Sequence, residues 1–525
     1  MSATDAKPRV PDGLEEAAAR GMAVAFHAAA DPDRLAIVSP HGDRTYGSLN
    51  ERANRIVRAL RRRGLGAGDA VALLCPNRPE FVEVYLATQR AGMRLTPVNW
   101  HLTGPEAGYI VGDCDAKAFV ADARCADVAR DAVDGATTLA ARFAVGGPID
   151  SFEGYEDAIA AEDGTDIDDP SQGTTMLYTS GTTGRPKGVE RRGGMSVKAT
   201  TGIVMHGYLE GDVHLCTGPL YHAAPLLFSL AIPLVAGVKI VVMDGWEAHA
   251  ALELIIEHGV THTHMVPTMF HRLLALPDDV RAGADVRSVR SIWHGAAPCP
   301  VAVKQRMIEW FGPIVSEYYS ATEGLGTFVD SRTWLEHPGT VGKPYPADQV
   351  VIGDEEGTPL PADEVGIVWL KAATIGRFEY HGDPDKTSST YRGDYFTVGD
   401  LGYLDADGFL YLTDRSADLV ISGGVNIYPA EVDAVLLEHP AVADVATIGV
   451  PSEEWGEEVK AVVELRDPSS ARPELEAELI EFCRQRLAHY KCPHSVDFVA
   501  ELPRSDTGKV YRRRLRDGYR ERAGG

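Results

Sequence analysis

The residues best placed to do chemistry gather first between Tyr178 and Gly188, which read Tyr-Thr-Ser-Gly-Thr-Thr-Gly-Arg-Pro-Lys-Gly. Gly181, Gly184 and Gly188 let backbone N–H groups turn toward an anion with no Cβ in the way. The hydroxyls of Thr179, Ser180, Thr182 and Thr183 add donors, and Lys187 adds a point charge. This set suits a polyphosphate, which presents several acceptor oxygens and needs no base-specific contact. A Walker A loop would need Gly-Lys followed by Ser or Thr, whereas here Lys187 precedes Gly188. The rival for a hydroxyl- and glycine-rich run alone is a flexible surface linker.

That segment resembles the signature of the adenylate-forming superfamily, which takes in acyl-CoA synthetases, adenylation domains and firefly luciferase. The resemblance covers nearly the whole chain in the family's motif order, and points to the acyl-CoA synthetase or fatty-acid–CoA ligase branch. Tyr319-Ser320-Ala321-Thr322-Glu323 is similar to the family's Tyr-Gly-x-Thr-Glu motif, with Ser320 in place of the glycine. The resemblance implies that Tyr319, flanked by Tyr318 and Ser320, stacks on adenine, that Thr322 contacts the α-phosphate and that Glu323 holds Mg2+. A carboxylate beside phosphates does recruit a hard cation. Taken alone, the same residues read as a helix start with a capping threonine.

Gly295-Ala296-Ala297-Pro298 resembles the family's small-residue loop beside the adenine and acyl pocket. Thr397-Val398-Gly399-Asp400 resembles its Thr-Gly-Asp segment, implying that Asp400 accepts from both ribose hydroxyls; Val398 is the departure. Asp414-Arg415 matches the entry to the hinge, placing Arg415 near ribose and phosphate. The family carries Lys or Asp two residues after that arginine, where this chain has Ala417. Ser422-Gly423-Gly424-Val425-Asn426 resembles the loop whose glycines line a pantetheine tunnel after the small domain rotates. Pro503 to Lys509 is similar to the last motif, in which the lysine bridges carboxylate and α-phosphate. An ammonium there offsets the charge of two anions brought together. His222 sits where the family places a gate to the acyl tunnel.

The elements that position these residues show two textures. Ser48 to Arg63 reads as a helix with Ser48 and Glu51 at capping-box spacing and Gly64 ending it. Apolar runs at 70–75, 176–178, 238–243, 264–266 and 289–293 alternate with helical patterns at 250–257 and 300–310. That alternation predicts α/β layers with largely parallel sheets. From Gly402 the segments shorten: a hairpin at 402–412, a helix from Pro429, strands at 442–450 and 459–465, and a helix at 473–487. The expected fold class is therefore α/β, a large N-terminal domain of layered β-sheets and helices with a small mobile α+β C-terminal domain. The boundary is placed at 414/415, giving 1–414 for adenylation (AMP binding) and 415–525 for the mobile part.

A formal net charge of −25 argues against nucleic acid as a partner. Seven scattered cysteines with no Cys-x-x-Cys pair fit a reducing compartment, and the cytoplasm is the expected address. No run of about 18 apolar residues exists to span a membrane. His262 and His264, at metal-ligand spacing on a strand, read as buried structural histidines. Arg512, Arg513, Arg514 and Arg516 could meet CoA phosphates, with Lys491 helping, but a charged surface explains them as well. Leu325-Gly326 after Glu323 is small and no tryptophan closes that stretch, which leans toward a medium, long or ring-bearing acid.

The resemblance thus implies an ATP-dependent acid–CoA ligase using Mg2+, with coenzyme A and a small carboxylic acid as co-substrates. Its implied working residues are Lys509, Thr322, Glu323 and His222. Its nucleotide- and CoA-binding set is Thr179, Ser180, Gly181, Thr182, Thr183, Gly184, Lys187, Gly295, Ala296, Ala297, Tyr318, Tyr319, Ser320, Asp400, Arg415, Gly423 and Gly424. Open alternatives are another acceptor (a carrier-protein thiol or an amine), a non-carboxylate acid such as nitrite, or an idle binding protein on the same scaffold. A homodimer is left open.

Overall fold

The computed structural model describes residues 10–134, 139–179, 186–191, 196–372, 377–415, 418–422, 425–452, 456–487, 489–504 and 510–523. Two large sheets carry the first part of the chain. One has six strands, all paired in parallel, centred on Ala116–Asp122 and Ala70–Leu74. Ala70–Leu74 is apolar throughout because helices cover both faces of that sheet, and every residue in it is buried. The other has eight strands with a parallel centre: Lys239–Val242, Val213–Cys216, His262–Met265, Ser291–His294 and Val315–Ala321. Gly324–Val329 closes one edge as the antiparallel arm of a hairpin with Val315–Ala321.

Two expectations need correction. The helix runs from Tyr46 to Arg62, and its capping box is Thr45 with Ser48, not Ser48 with Glu51. Ser48 lies in the first turn and its hydroxyl reaches back to the Thr45 N–H at 2.9 Å, while Glu51 pairs with Arg55 one turn on. The predominance of parallel sheets also stops short of residue 350. A six-stranded sheet built from Val350–Gly353 through Leu410–Arg415 is paired antiparallel throughout. Its strands are two to six residues long, too short to show a period of two in the sequence. The expected hairpin is part of it, Asp400–Leu404 against Leu410–Arg415.

From Val420 onward the strands join a separate five-stranded sheet. Helix Pro473–Arg484 begins with proline, and packs Leu475, Leu479 and Cys483 against that sheet at four-residue spacing. Helix Pro267–Leu274 meets this last part of the chain: His271 contacts the backbone of Ala443, and Arg272 acts electrostatically on Glu464.

One buried ion pair fixes the relation of two segments that matter below. Lys304, on helix Val301–Phe311, is fully buried and donates to Glu317 at 2.6 Å, with its ammonium 4.6 Å from the Trp334 ring centre. Glu317 is two residues ahead of Tyr319, and Lys304 follows the Gly295–Pro298 loop by one helical turn and a half. Removing one partner leaves the other charge buried and uncompensated. Lys304→Met is therefore expected to cost about 3–5 kcal/mol. Lys304→Met with Glu317→Leu should recover most of it, read by urea unfolding with tryptophan fluorescence. A single variant as stable as the parent protein would contradict this.

Candidate active site

The described ends of the phosphate-loop segment form a β-hairpin. Leu177–Thr179 pairs antiparallel with Lys187–Arg191, and Thr179 stands opposite Lys187 as the last pair before the loop. A hairpin loop differs from the strand-to-helix turn of a Walker A site. Ser180, Gly181, Thr182, Thr183 and Gly184 lie outside the described residues. Lys187 is held in place: its ammonium donates to Asp383 at 2.7 Å and sits 5.8 Å from the Tyr380 ring centre. Asp383 in turn caps helix Pro384–Thr390 through the Lys386 N–H.

Tyr380 connects this lysine to the expected metal carboxylate. Its hydroxyl donates to Glu323 Oε1 at 2.9 Å, and burial with Glu323 nearby pushes its own titration well upward. Thr322 and Glu323 are the two turn residues of the hairpin, since Ala321 pairs with Gly324. The helix-start alternative is thereby excluded for these residues. Arg191 lies beneath the turn and donates to the Thr322 carbonyl. Burial lowers its pKa and the Glu323 carboxylate opposes that shift.

The other half of the site is the pair Tyr319–Asp400. The Tyr319 hydroxyl donates to Asp400 Oδ2 at 2.7 Å, and both side chains are buried. Between Tyr319 and Ser320 the hairpin shifts register: Tyr319 faces Thr327 while Ser320 faces Leu325, so Gly326 is the extra residue. A Cβ on Gly326 would come within 2.6 Å of Tyr319 Cδ1. The small residue that reads as acyl-pocket lining is thus the seat of the Tyr319 ring. Val398, the departure from the family segment, packs into the same apolar cluster as Tyr319. Asp400 and Arg415 are register partners across the strands Asp400–Leu404 and Leu410–Arg415, which brings their backbones together; the Arg415 side chain lies outside the described residues.

Tyr318 points the other way along the strand. Its hydroxyl meets His264 Nε2 at 2.8 Å and its ring lies 4.7 Å from Phe228. A Cβ on Gly295 would sit 2.6 Å from the Tyr318 carbonyl oxygen, so the loop of Gly295, Ala296 and Ala297 rests on this strand. Ala296 holds a left-handed φ of 67°, an uncommon conformation for a residue with a Cβ and the kind of strain found at binding sites. His222 follows a tight turn in which its N–H donates to the Pro219 carbonyl at 3.1 Å, and its ring lies 4.5 Å from that of Tyr221, tilted by 49°.

Lys509, Ala417, Gly423 and Gly424 lie outside the described residues. Arg504 and Val510 bridge on either side of the segment that holds Lys509, and Arg504 is ion-paired to Asp444, next to the Ala443 that touches His271. The arginines after it are committed to the domain itself: Arg512 pairs with Asp433, Arg516 with Asp418 and Arg513 with Asp517. Lys491 pairs with Glu431 at 2.6 Å. Three of the four arginines in the run are thus ion-paired within this part of the chain, and Arg514 lies over the Tyr511 ring at 4.6 Å.

Sequence reasoning missed Arg191, Tyr380 and Asp383. They fall outside the recognised motifs, and each acts across 57 to 196 residues of chain, a distance no local pattern encodes. His262 and His264 are buried and hydrogen-bonded, His262 to the His206 carbonyl at 3.0 Å, and burial lowers their pKa values to about 4 and about 3.

The donor set fits the nucleotide and its metal. Among the described residues no group of three or more His, Cys, Asp or Glu could cage an ion. A single carboxylate, Glu323, beside phosphates is how Mg2+ is commonly held. Tyr319→Phe keeps the ring but removes the donor to Asp400, leaving a buried acceptor short of about 1–2 kcal/mol. ATP affinity measured by calorimetry should fall about five- to thirty-fold. An unchanged affinity would show that the pair does not serve nucleotide binding.

Comparison with known proteins identifies the family. The AMP-binding enzyme family matches residues 24–377, and the AMP-binding enzyme C-terminal domain matches residues 431–509. A fatty acid–[acyl-carrier-protein] ligase, ScoC, of Streptomyces coeruleorubidus is 33% identical, over 94% of this chain and 95% of its own. A 2-succinylbenzoate–CoA ligase of Geobacillus kaustophilus is 34% identical, over 92% and 95%. The crystal structure of the anthranilate CoA ligase AuaEII in complex with anthranoyl-AMP matches with a TM-score of 0.86 at 25% identity, over 100% of both chains. ATP, Mg2+ and coenzyme A are the cofactors of this group. Two matched models over most of the chain, together with relatives above 30% identity, place the chain in the AMP-binding enzyme family of adenylate-forming ligases.

Proposed function

We propose that this protein is an AMP-forming acid–CoA ligase, with residues 1–414 as the adenylating domain and 415–525 as the mobile one. The observation that carries the reading is the joining of Tyr319 to Asp400 and of Tyr380 to Glu323 around one hairpin turn. In the first half-reaction a carboxylate oxygen attacks the α-phosphorus of ATP. The bond from that phosphorus to the bridging oxygen breaks, and pyrophosphate leaves with the electron pair. Asp400 would take the ribose, Tyr319 the adenine face, and the 179–187 loop with Lys187 the departing phosphates. Mg2+, when bound by Glu323, would offset charge on the phosphates. Lys509 would bridge the attacking carboxylate and the α-phosphate, where two anions meet.

In the second half-reaction a thiol sulfur forms the bond to the acyl carbon, the thiol proton is released, and AMP leaves. Gly423 and Gly424 would admit the pantetheine arm, and His222 would gate the acyl tunnel. The seven free cysteines suit a cytoplasmic setting. A carrier-protein thiol is the second reading, favoured by the likeness to ScoC.

Pyrophosphate release with a panel of carboxylic acids, with and without CoA, tests the proposal. Acid-dependent release together with CoA consumption is expected; acid-dependent release that leaves CoA untouched would favour the carrier-thiol reading. Lys509→Ala should lower adenylation at least a hundredfold, yet leave thioester formation from preformed acyl-adenylate within a few-fold of the parent. Equal loss of both steps would refute the role given to Lys509.

A further inference from the structure

Tyr380 reaches the Thr322–Glu323 turn from a different sheet. In the three-stranded sheet Phe378–Tyr380 pairs antiparallel with Lys187–Arg191, with Val189 opposite Tyr380 and Arg191 opposite Phe378. Alternation along the two strands sets Lys187, Val189, Arg191, Phe378 and Tyr380 on one face. That face packs toward the hairpin, since Val189, Phe378 and Tyr380 share an apolar cluster with Tyr319. It touches the turn at two points: Arg191 donates to the Thr322 carbonyl, and the Tyr380 hydroxyl donates to Glu323 Oε1 at 2.9 Å. The strand that begins at Lys187 and the turn that carries Glu323 are thereby joined through one sheet face.

Tyr380 is itself firmly held. Its N–H donates to Thr387 Oγ1 at 2.9 Å, and its carbonyl accepts from the Asp383 N–H at 3.1 Å. Both contacts fasten its backbone to the start of helix Pro384–Thr390. Its side chain is buried, edge-on to the Phe378 ring at 5.3 Å, with the Lys187 ammonium 5.8 Å from its ring centre. Asp383, which caps the helix, also pairs with Lys187, so Lys187, Asp383 and Tyr380 brace one another.

The ring and the hydroxyl have different partners. The ring lies beside Lys187, and the hydroxyl alone reaches Glu323. Burial, reinforced by the Glu323 charge, keeps the phenol protonated far above neutral pH, so it acts as the donor. A donor fixed on Oε1 sets the rotation of the carboxylate and leaves Oε2 to take a hard cation. Removing an orienting partner of this kind lowers metal affinity about 10- to 100-fold.

We propose that Tyr380 is a positioning residue for the metal: its hydroxyl holds the Glu323 carboxylate in the orientation that takes Mg2+ beside the phosphates. This rests on the adenylating reading above. The test is calorimetry of ATP binding to the full-length protein, in excess Mg2+ and in EDTA, with no acid present. Tyr380→Phe keeps the ring beside Lys187 and removes the donor. ATP affinity should fall about tenfold or more in Mg2+ and stay within about threefold of the parent in EDTA. The Mg2+ concentration giving half-maximal pyrophosphate release with a carboxylic acid should rise by a similar factor, while the rate at saturating Mg2+ stays within a few-fold. Glu323→Gln should lower ATP affinity in Mg2+ with Tyr380 intact, and adding Tyr380→Phe to it should cost nothing further. No loss for Tyr380→Phe, equal losses in Mg2+ and in EDTA, or additive losses in the double variant would overturn the assignment while leaving adenylation intact. A parent protein whose ATP affinity gains nothing from Mg2+ would remove the reading on which it stands.

Discussion

The candidate site of a protein with a formal charge of −25 sets two carboxylates, Asp400 and Glu323, where the proposed reading brings a triphosphate, and one constraint governs it. Like charges must be kept from facing one another uncompensated. The structure meets it by giving each carboxylate a neutral donor. Asp400 accepts from Tyr319 and Glu323 from Tyr380, and these neutral donors help to orient both carboxylates. Arg191, buried under the turn, sets a positive charge near Glu323 while spending its hydrogen bond on the Thr322 carbonyl. Lys187 is paired with Asp383, whose helix-capping role holds it still. On the proposed reading Lys187 would offer an entering polyphosphate a positioned ammonium, and a metal ion at Glu323 would supply further charge.

The scaffold serves that arrangement through long-range pairs. The turn with Thr322 and Glu323 exists because Val315–Ala321 folds back on Gly324–Val329, and the bulge at Gly326 turns Tyr319 toward Asp400. The Lys304–Glu317 pair locks the helix after the Gly295 loop to the same strand. Alternation along that strand then divides the labour. Tyr319 faces Asp400, and Tyr318 faces His264 and Phe228 on the opposite side.

Much of this was legible in the sequence wherever residue type and spacing are local. The apolar run at 70–75, the proline-led helices and the hairpin at 402–412 are short-range patterns, and they appear as Ala70–Leu74, Pro429–Leu436, Pro473–Arg484 and the pair ending at Arg415. The motif residues could be named by their order along the chain. Their partners could not, because Tyr380, Asp383 and Arg191 act through contacts far apart in sequence and belong to no repeating pattern. The capping box slipped by three residues because Ser48 with Glu51 carries the usual Ser-x-x-Glu signal, whereas the box that forms uses the Ser48 hydroxyl in place of a carboxylate at N3. The basic run after Lys509 was open to two readings from charge alone, and Asp433, Asp517 and Asp418 pair with three of its arginines, partners that no local pattern names.

The central claim is that one site joins an acid to the α-phosphate of ATP before any acceptor takes part. Isotope exchange between labelled pyrophosphate and ATP, followed without CoA, measures that step directly. Exchange that requires both Mg2+ and a carboxylic acid from the panel, and that falls when Glu323 or Asp400 is replaced by its amide, is the predicted result. Exchange that proceeds at full rate without any acid, or that is unchanged by both amide substitutions, would contradict the account.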